Sequence, residues 1–120
     1  MHGLVNSPAM AIQQEVHGSV VILRPVGGLD GTRSSALEEQ VLAAIESGSR
    51  DVVFDFSKTS HIPSAGLRAT LNAIKLLGAA QGRLIIAAAS PAVREVLETS
   101  GVAAVCELVA TPEDALARLR

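Results

Sequence analysis

A chain of 120 residues, 48% of them hydrophobic, is long enough for one domain with its own core and needs neither metals nor disulfides to hold it together. With 10 Lys plus Arg against 12 Asp plus Glu, the formal charge is -2 and no long block of either sign occurs, so nucleic acid and anionic membrane surfaces are not favoured partners. Phe54 and Phe56 are the only aromatic residues and share one apolar run, which leaves no platform for base stacking.

The opening "MHGLVNSPAM" is mixed and patternless, and residues 1–10 read as a flexible extension ahead of a domain spanning 11–120. It lacks a basic start followed by a sustained apolar segment. No apolar run elsewhere approaches the ~20 residues of a spanning helix. A cytoplasmic location without membrane insertion is expected. "AIQQEVHGSVVILRPVGGLDG" then reads as a hairpin: a short strand, a turn at His17-Gly18-Ser19, and a β-branched run from Val20 to Val26.

Glycines 27, 28 and 31 break that pattern, and "TRSSALEEQVLAAIESG" follows with Leu37, Val41, Ala44 and Ile45 on one helical face. Ser35 and Glu38 have capping-box spacing, and Gly48 is placed to stop the helix. "DVVFDFS" is short, β-branched and aromatic, and predicts a central strand. Asp55 interrupts it, either orienting the next loop or facing outward. After a loop from Lys58 to Pro63, "SAGLRATLNAIKLLGAAQG" predicts a helix with Leu67, Leu71, Ile74 and Leu77 at core spacing, stopped near Gly82.

"RLIIAAA" predicts a second buried strand. Ser90 and Pro91 open the next helix as cap and first position, and Gly101 closes it. "AAVCELV" predicts a last strand, in which the lone Cys106 behaves as a small buried hydrophobe. Thr111 and Pro112 repeat the cap-then-proline device before a final helix whose arginines suit its negative end. The order β-β-α-β-α-β-α-β-α implies an α/β fold: a mixed, mostly parallel central sheet of four or five strands with four helices. Function then belongs at strand-to-helix loops.

His2, His17 and His61 fall in a tail, a turn and a loop without metal-ligand spacing, so no metal is expected. "GGLDGT" matches neither the dinucleotide fingerprint nor the phosphate loop, and no cofactor is expected. Ser64 has no Gly-x-Ser-x-Gly elbow around it, and the closeness of His61 is the sole argument for catalysis. No catalytic residue is assigned. Taken alone, Ser64 is an N-cap worth ~1 kcal/mol. A helix start also accommodates an added phosphate, because free N–H donors and the helix dipole both favour negative charge there. The small Ala65 and Gly66 then read as leaving the helix start open to a partner.

"DVVFDFSKTSHIPSAGLRATL", followed by "GRLIIAAASPAVREVLETSGV", resembles the STAS domain of bacterial anti-sigma-factor antagonists. The resemblance runs from about Val20 to Leu119 and includes the "GGLD" turn and the "TSGV" helix end. It implies a non-enzymatic switch in which an anti-sigma factor that is also a serine kinase binds the unphosphorylated form and phosphorylates one serine, with a phosphatase as a further partner. Carried over, the acceptor is Ser64, and Asp30, Pro63, Ala65, Gly66 and Arg68 join it as the partner-binding surface. Pro63 stands where the family usually has an acidic residue. A constitutive STAS subunit of a lipid-transport ATPase, never phosphorylated, is the alternative that the resemblance leaves open.

Overall fold

The computed structural model describes residues 12–120, so the extension read at residues 1–10 lies outside the described residues. In chain order the elements are β1 (Ile12–His17), β2 (Val20–Pro25), β3 (Gly27–Gly28), α1 (Gly31–Glu46), β4 (Asp51–Asp55), β5 (Thr59–His61) and α2 (Ser64–Ala79). There follow β6 (Arg83–Ala87), α3 (Pro91–Thr99), α4 (Val102–Val105), β7 (Glu107–Val109) and α5 (Pro112–Leu119). Five strands form one mixed sheet in the order β1-β2-β4-β6-β7, antiparallel only between β1 and β2. The α/β architecture expected from the alternation of strands and helices is therefore present, with five helices among the described residues where four were expected.

Strand periodicity sends alternate residues of the central strands to opposite faces. Val52 and Phe54 of β4 join Val21, Leu23, Leu84 and Ile86 under α1, α2 and α3, where Leu37, Val41, Leu77 and Leu97 are wholly buried. Val53 points the other way, with Val20, Ile22 and Ile85, onto Ala115 of α5. Each such aliphatic side chain contributes roughly 1.5–3 kcal/mol on burial, and the two-sided strands β4 and β6 contribute to both faces of the core. Phe56 continues beneath the first face, its ring 5.8 Å from that of Phe54.

Four local expectations change. Helix α1 starts at Gly31 and is capped by Asp30, whose carboxylate accepts from the Arg33 amide at 3.0 Å, while Ser35 lies inside the helix. Along α2 the buried stripe is Gly66, Ala69, Thr70, Ala73 and Leu77, and Leu71 is exposed, because small side chains bring this helix close to the sheet. The left-handed residue after α2 is Gln81, whereas Gly82 is required for another reason: a Cβ there would fall 1.7 Å from the Arg50 carbonyl oxygen. The apolar run before Glu107 is split, residues Val102–Val105 forming a helical turn launched by left-handed Gly101 and only Glu107–Val109 pairing with β6. Cys106 is buried as expected, its thiol donating to the Leu84 carbonyl at 3.3 Å, and burial pushes its pKa up to about 11.

Candidate functional site

The two loops that leave the C-terminal ends of β2 and β4 are stitched to each other before their helices begin. Strands β3 and β5 pair in parallel, Gly27 donating to the Lys58 carbonyl at 2.9 Å and Leu29 to the His61 carbonyl at 3.0 Å. The buried Thr59 hydroxyl donates to the Pro25 carbonyl at 3.0 Å, fixing β5 to the end of β2. The two glycines of β3 carry no strand propensity, and Thr59 is the one β-branched residue in the pair. The pairing is held by these backbone bonds and by the Thr59 hydroxyl.

Asp55 anchors the second loop from below. It is 2% exposed, accepts from Arg24 Nε at 2.7 Å through one oxygen and from the Ser57 amide at 3.0 Å through the other. Of the two readings of this residue, the orienting one is the one the structure bears out. Burial pulls the Arg24 pKa down, but hydrogen bonds to Asp55 and Glu15 outweigh it and leave the guanidinium above its ordinary value. Glu15 is held below the usual carboxylate value first by its hydrogen bond from Arg24 and then by that with His17.

The side chains above these strands explain both glycines. Gly27 has φ +95°, and the Arg33 guanidinium lies over it while reaching the Asp30 carboxylate at 3.2 Å. The His61 imidazole rests on Gly28 so closely that a Cβ there would lie 2.3 Å from Cε1. Its Nδ1 shares a 3.1 Å hydrogen bond with the Ser60 hydroxyl. His61 is thus spent on packing and on Ser60, and no hydrogen bond joins it to Ser64 among the described residues. The pair considered for catalysis is not assembled.

Ser64 occupies the first helical position of α2 rather than its cap. Pro63 is the cap residue, extended at φ -75° and ψ -179°, and its carbonyl accepts from the amides of Gly66 and Leu67 at 2.9 and 3.1 Å. No side chain caps this helix, so the amides of Ser64 and Ala65 have no partner within it. The Ser64 side chain is exposed and makes no hydrogen bond with the described residues. Arg68 is exposed one turn further on, and Pro63 and Ala65 are partly covered. Asp30 is exposed but also serves as the α1 cap.

Gly66 departs from the expectation. It is buried, and a Cβ would meet the Leu29 carbonyl oxygen at 2.8 Å and Ile62 Cγ2 at 2.9 Å. Its missing side chain is used inward, letting the start of α2 abut the Asp30 loop, and it does not offer surface to a partner. That contact is also what brings the Asp30 and Ser64 loops to one place. Sequence reading missed Arg33 and Thr59, for neither residue type signals a loop clamp until its partner backbone is known.

The described geometry has a counterpart among known proteins. The STAS domain family matches residues 11–115. The chain belongs to that family. As a STAS domain it is 34% identical over 94 residues to BtrV of Bordetella bronchiseptica, a protein provisionally named an anti-sigma factor antagonist, with 78% of this chain and 81% of BtrV covered. Its structure is similar to that of the anti-sigma factor antagonist SpoIIAA in the unphosphorylated form, with TM-score 0.81 and 30% identity over 92% of this chain and 96% of that one. It is also similar to Bacillus SpoIIAA in the phosphorylated form, with TM-score 0.73 over 92% of this chain and all of the other. Among the described residues of this STAS domain, no helix is long and apolar enough to cross a membrane.

Proposed function

We propose that this STAS domain is a cytoplasmic anti-sigma-factor antagonist, a regulatory binding protein and not an enzyme. Its surface at Asp30, Pro63, Ser64, Ala65 and Arg68 docks on an anti-sigma factor that is also a serine kinase. Phosphorylation of Ser64 by that kinase releases the complex, and a phosphatase restores it. Gly66 supports this surface from beneath. The observation that carries the reading is the exposed hydroxyl of Ser64, without a hydrogen bond among the described residues, at a helix start that no side chain caps among them. A relative with the same fold exists in phosphorylated and unphosphorylated forms.

The chemistry follows from what surrounds that hydroxyl. His61 is engaged with Ser60 and Gly28, and in this reading the base that takes the Ser64 proton during phosphoryl transfer comes from the kinase. The transferred group adds roughly -1.5 to -2 charges at neutral pH. Free amides and the helix dipole receive that charge without unfolding the domain. Its effect therefore falls on the docked partner, through repulsion and desolvation.

In a calorimetric titration against the anti-sigma factor of the same genome, Ser64→Asp is expected to weaken binding by about a hundredfold, with the melting temperature shifted by no more than a few degrees. Equal affinity of the two proteins overturns the binding role of Ser64. Incubation with that kinase and ATP is expected to add one phosphate to the intact mass of the wild type and none to Ser64→Ala. Pro63, which replaces an acidic residue beside the serine and donates no N–H, favours a second reading as an unmodified subunit of a transporter ATPase. A wild type that stays unphosphorylated and binds the ATPase would establish that one instead.

A further inference from the structure

Helices α1 and α2 lie side by side on one face of the sheet. They run in the same direction, since each leaves one parallel strand and returns the chain to the next. Between their outward surfaces is an open groove of about 580 Å³, whose lining includes Glu38, Glu39, Leu42, Asn72, Lys75 and Leu76. Leu42 is 46% exposed and Leu76 38%. Asn72 donates to Glu38 at 2.9 Å, which sets the two helices level, so that Leu42 and Leu76 stand together one turn further along.

The charges on the two walls are opposite. Helix α1 presents Glu38 and Glu39, and α2 presents Lys75. We propose that this groove is a self-association surface, occupied by a second copy of the chain about a two-fold axis parallel to α1 and α2. Such an axis lays α1 of each copy over α2 of the other. Glu39 then faces Lys75 of the second copy twice over, with the leucines enclosed between the two salt-bridged rims. A two-fold across the helices would set α1 on α1 and acid against acid, so the charge pattern selects one arrangement. The pattern is self-complementary, each copy carrying both halves of the match. It is independent of whether Ser64 is modified.

Sedimentation equilibrium of the intact chain from about 1 µM to about 500 µM spans the range in which a dimer of micromolar affinity assembles. The expected result is a mass rising from 12.4 kDa to twice that value. Leu42→Asp and Lys75→Glu are each expected to weaken the dimer by about tenfold or more, by placing a charge in the apolar seam or like charges face to face. Lys75→Glu combined with Glu39→Lys restores it. Both sites are exposed, and unchanged circular-dichroism melts confirm that the variants fold. A monomer at every concentration overturns the proposal, as does a dimer indifferent to Leu42→Asp and Lys75→Glu, or a charge-exchanged double variant no tighter than Lys75→Glu alone. A chain that stays monomeric and receives its anti-sigma factor in this groove overturns it too.

Discussion

Two serines stand at helix starts in this domain and do different work. Ser90 is the cap of α3, extended at ψ 163°, its hydroxyl accepting from the Val93 amide at 3.3 Å with Pro91 next in line. Ser64 is one position inside α2, after a proline that holds the extended cap conformation, and its hydroxyl faces outward without a bond from its own helix. Moving a serine by one place relative to the first turn leaves its hydroxyl exposed instead of serving as a structural acceptor. The third residue of each helix completes the contrast. Val93 fills the core, whereas Gly66 leaves room for the backbone of a neighbouring loop.

The most disruptive test removes that room. Gly66→Ala sets a Cβ against the Leu29 carbonyl oxygen, which cannot rotate away, and is expected to cost about 1–3 kcal/mol in urea unfolding. Because the Asp30 loop is displaced from the start of α2, affinity for the anti-sigma factor falls as well. Gly78→Ala in the same helix meets nothing within 4 Å and is expected to stabilise by roughly 0.5–1 kcal/mol. If the two variants unfold alike, the packing argument for Gly66 is wrong.

Exchanging the serines for alanine sharpens the comparison at smaller cost. Ser90→Ala loses a cap and is expected to destabilise by about 1 kcal/mol, leaving partner affinity unchanged. Ser64→Ala loses no intramolecular bond and is expected to stay within roughly 0.5 kcal/mol of the wild type, with its effect confined to phosphorylation and binding. Thermal melts paired with titrations read both axes. A Ser64→Ala variant as unstable as Ser90→Ala would mean that the hydroxyl has a structural partner.

This asymmetry explains how far the sequence carried. Ser90-Pro91 and Thr111-Pro112 were legible because cap, proline and apolar period agree locally, and the buried strands β4 and β6 because their apolar runs are bounded by turn formers. The start of α1 was misplaced by five residues, since Asp30 and Ser35 both have capping chemistry and only the β3 to β5 pairing decides between them. Strand β3 is two glycines and has no local signal. The turn α4 was read in part as strand because Val105 and the apolar residues after it favour β structure, and the helical turn launched by Gly101 overrules them. For the candidate site, the helix start at Ser64 was legible, although Pro63 and not Ser64 is the cap, but the inward role of Gly66 and the loop clamp of Arg33 depend on residues more than thirty places away or on backbone geometry.

The smallest effect is the most discriminating for the switch itself. Ser64→Asp puts a carboxylate at the first position of a long helix with no acidic residue in its first turn, where the dipole and the free amides favour it. The domain is expected to gain about 0.3–1 kcal/mol, most clearly at low ionic strength and fading as salt screens the interaction. Ser64→Asn, of the same size without the charge, controls for shape and should show no salt dependence. A gain in folding stability alongside a loss in partner affinity separates the two effects of negative charge at this position, one within the chain and one across the interface. A loss in both would mean instead that Ser64→Asp weakens the complex by damaging the fold.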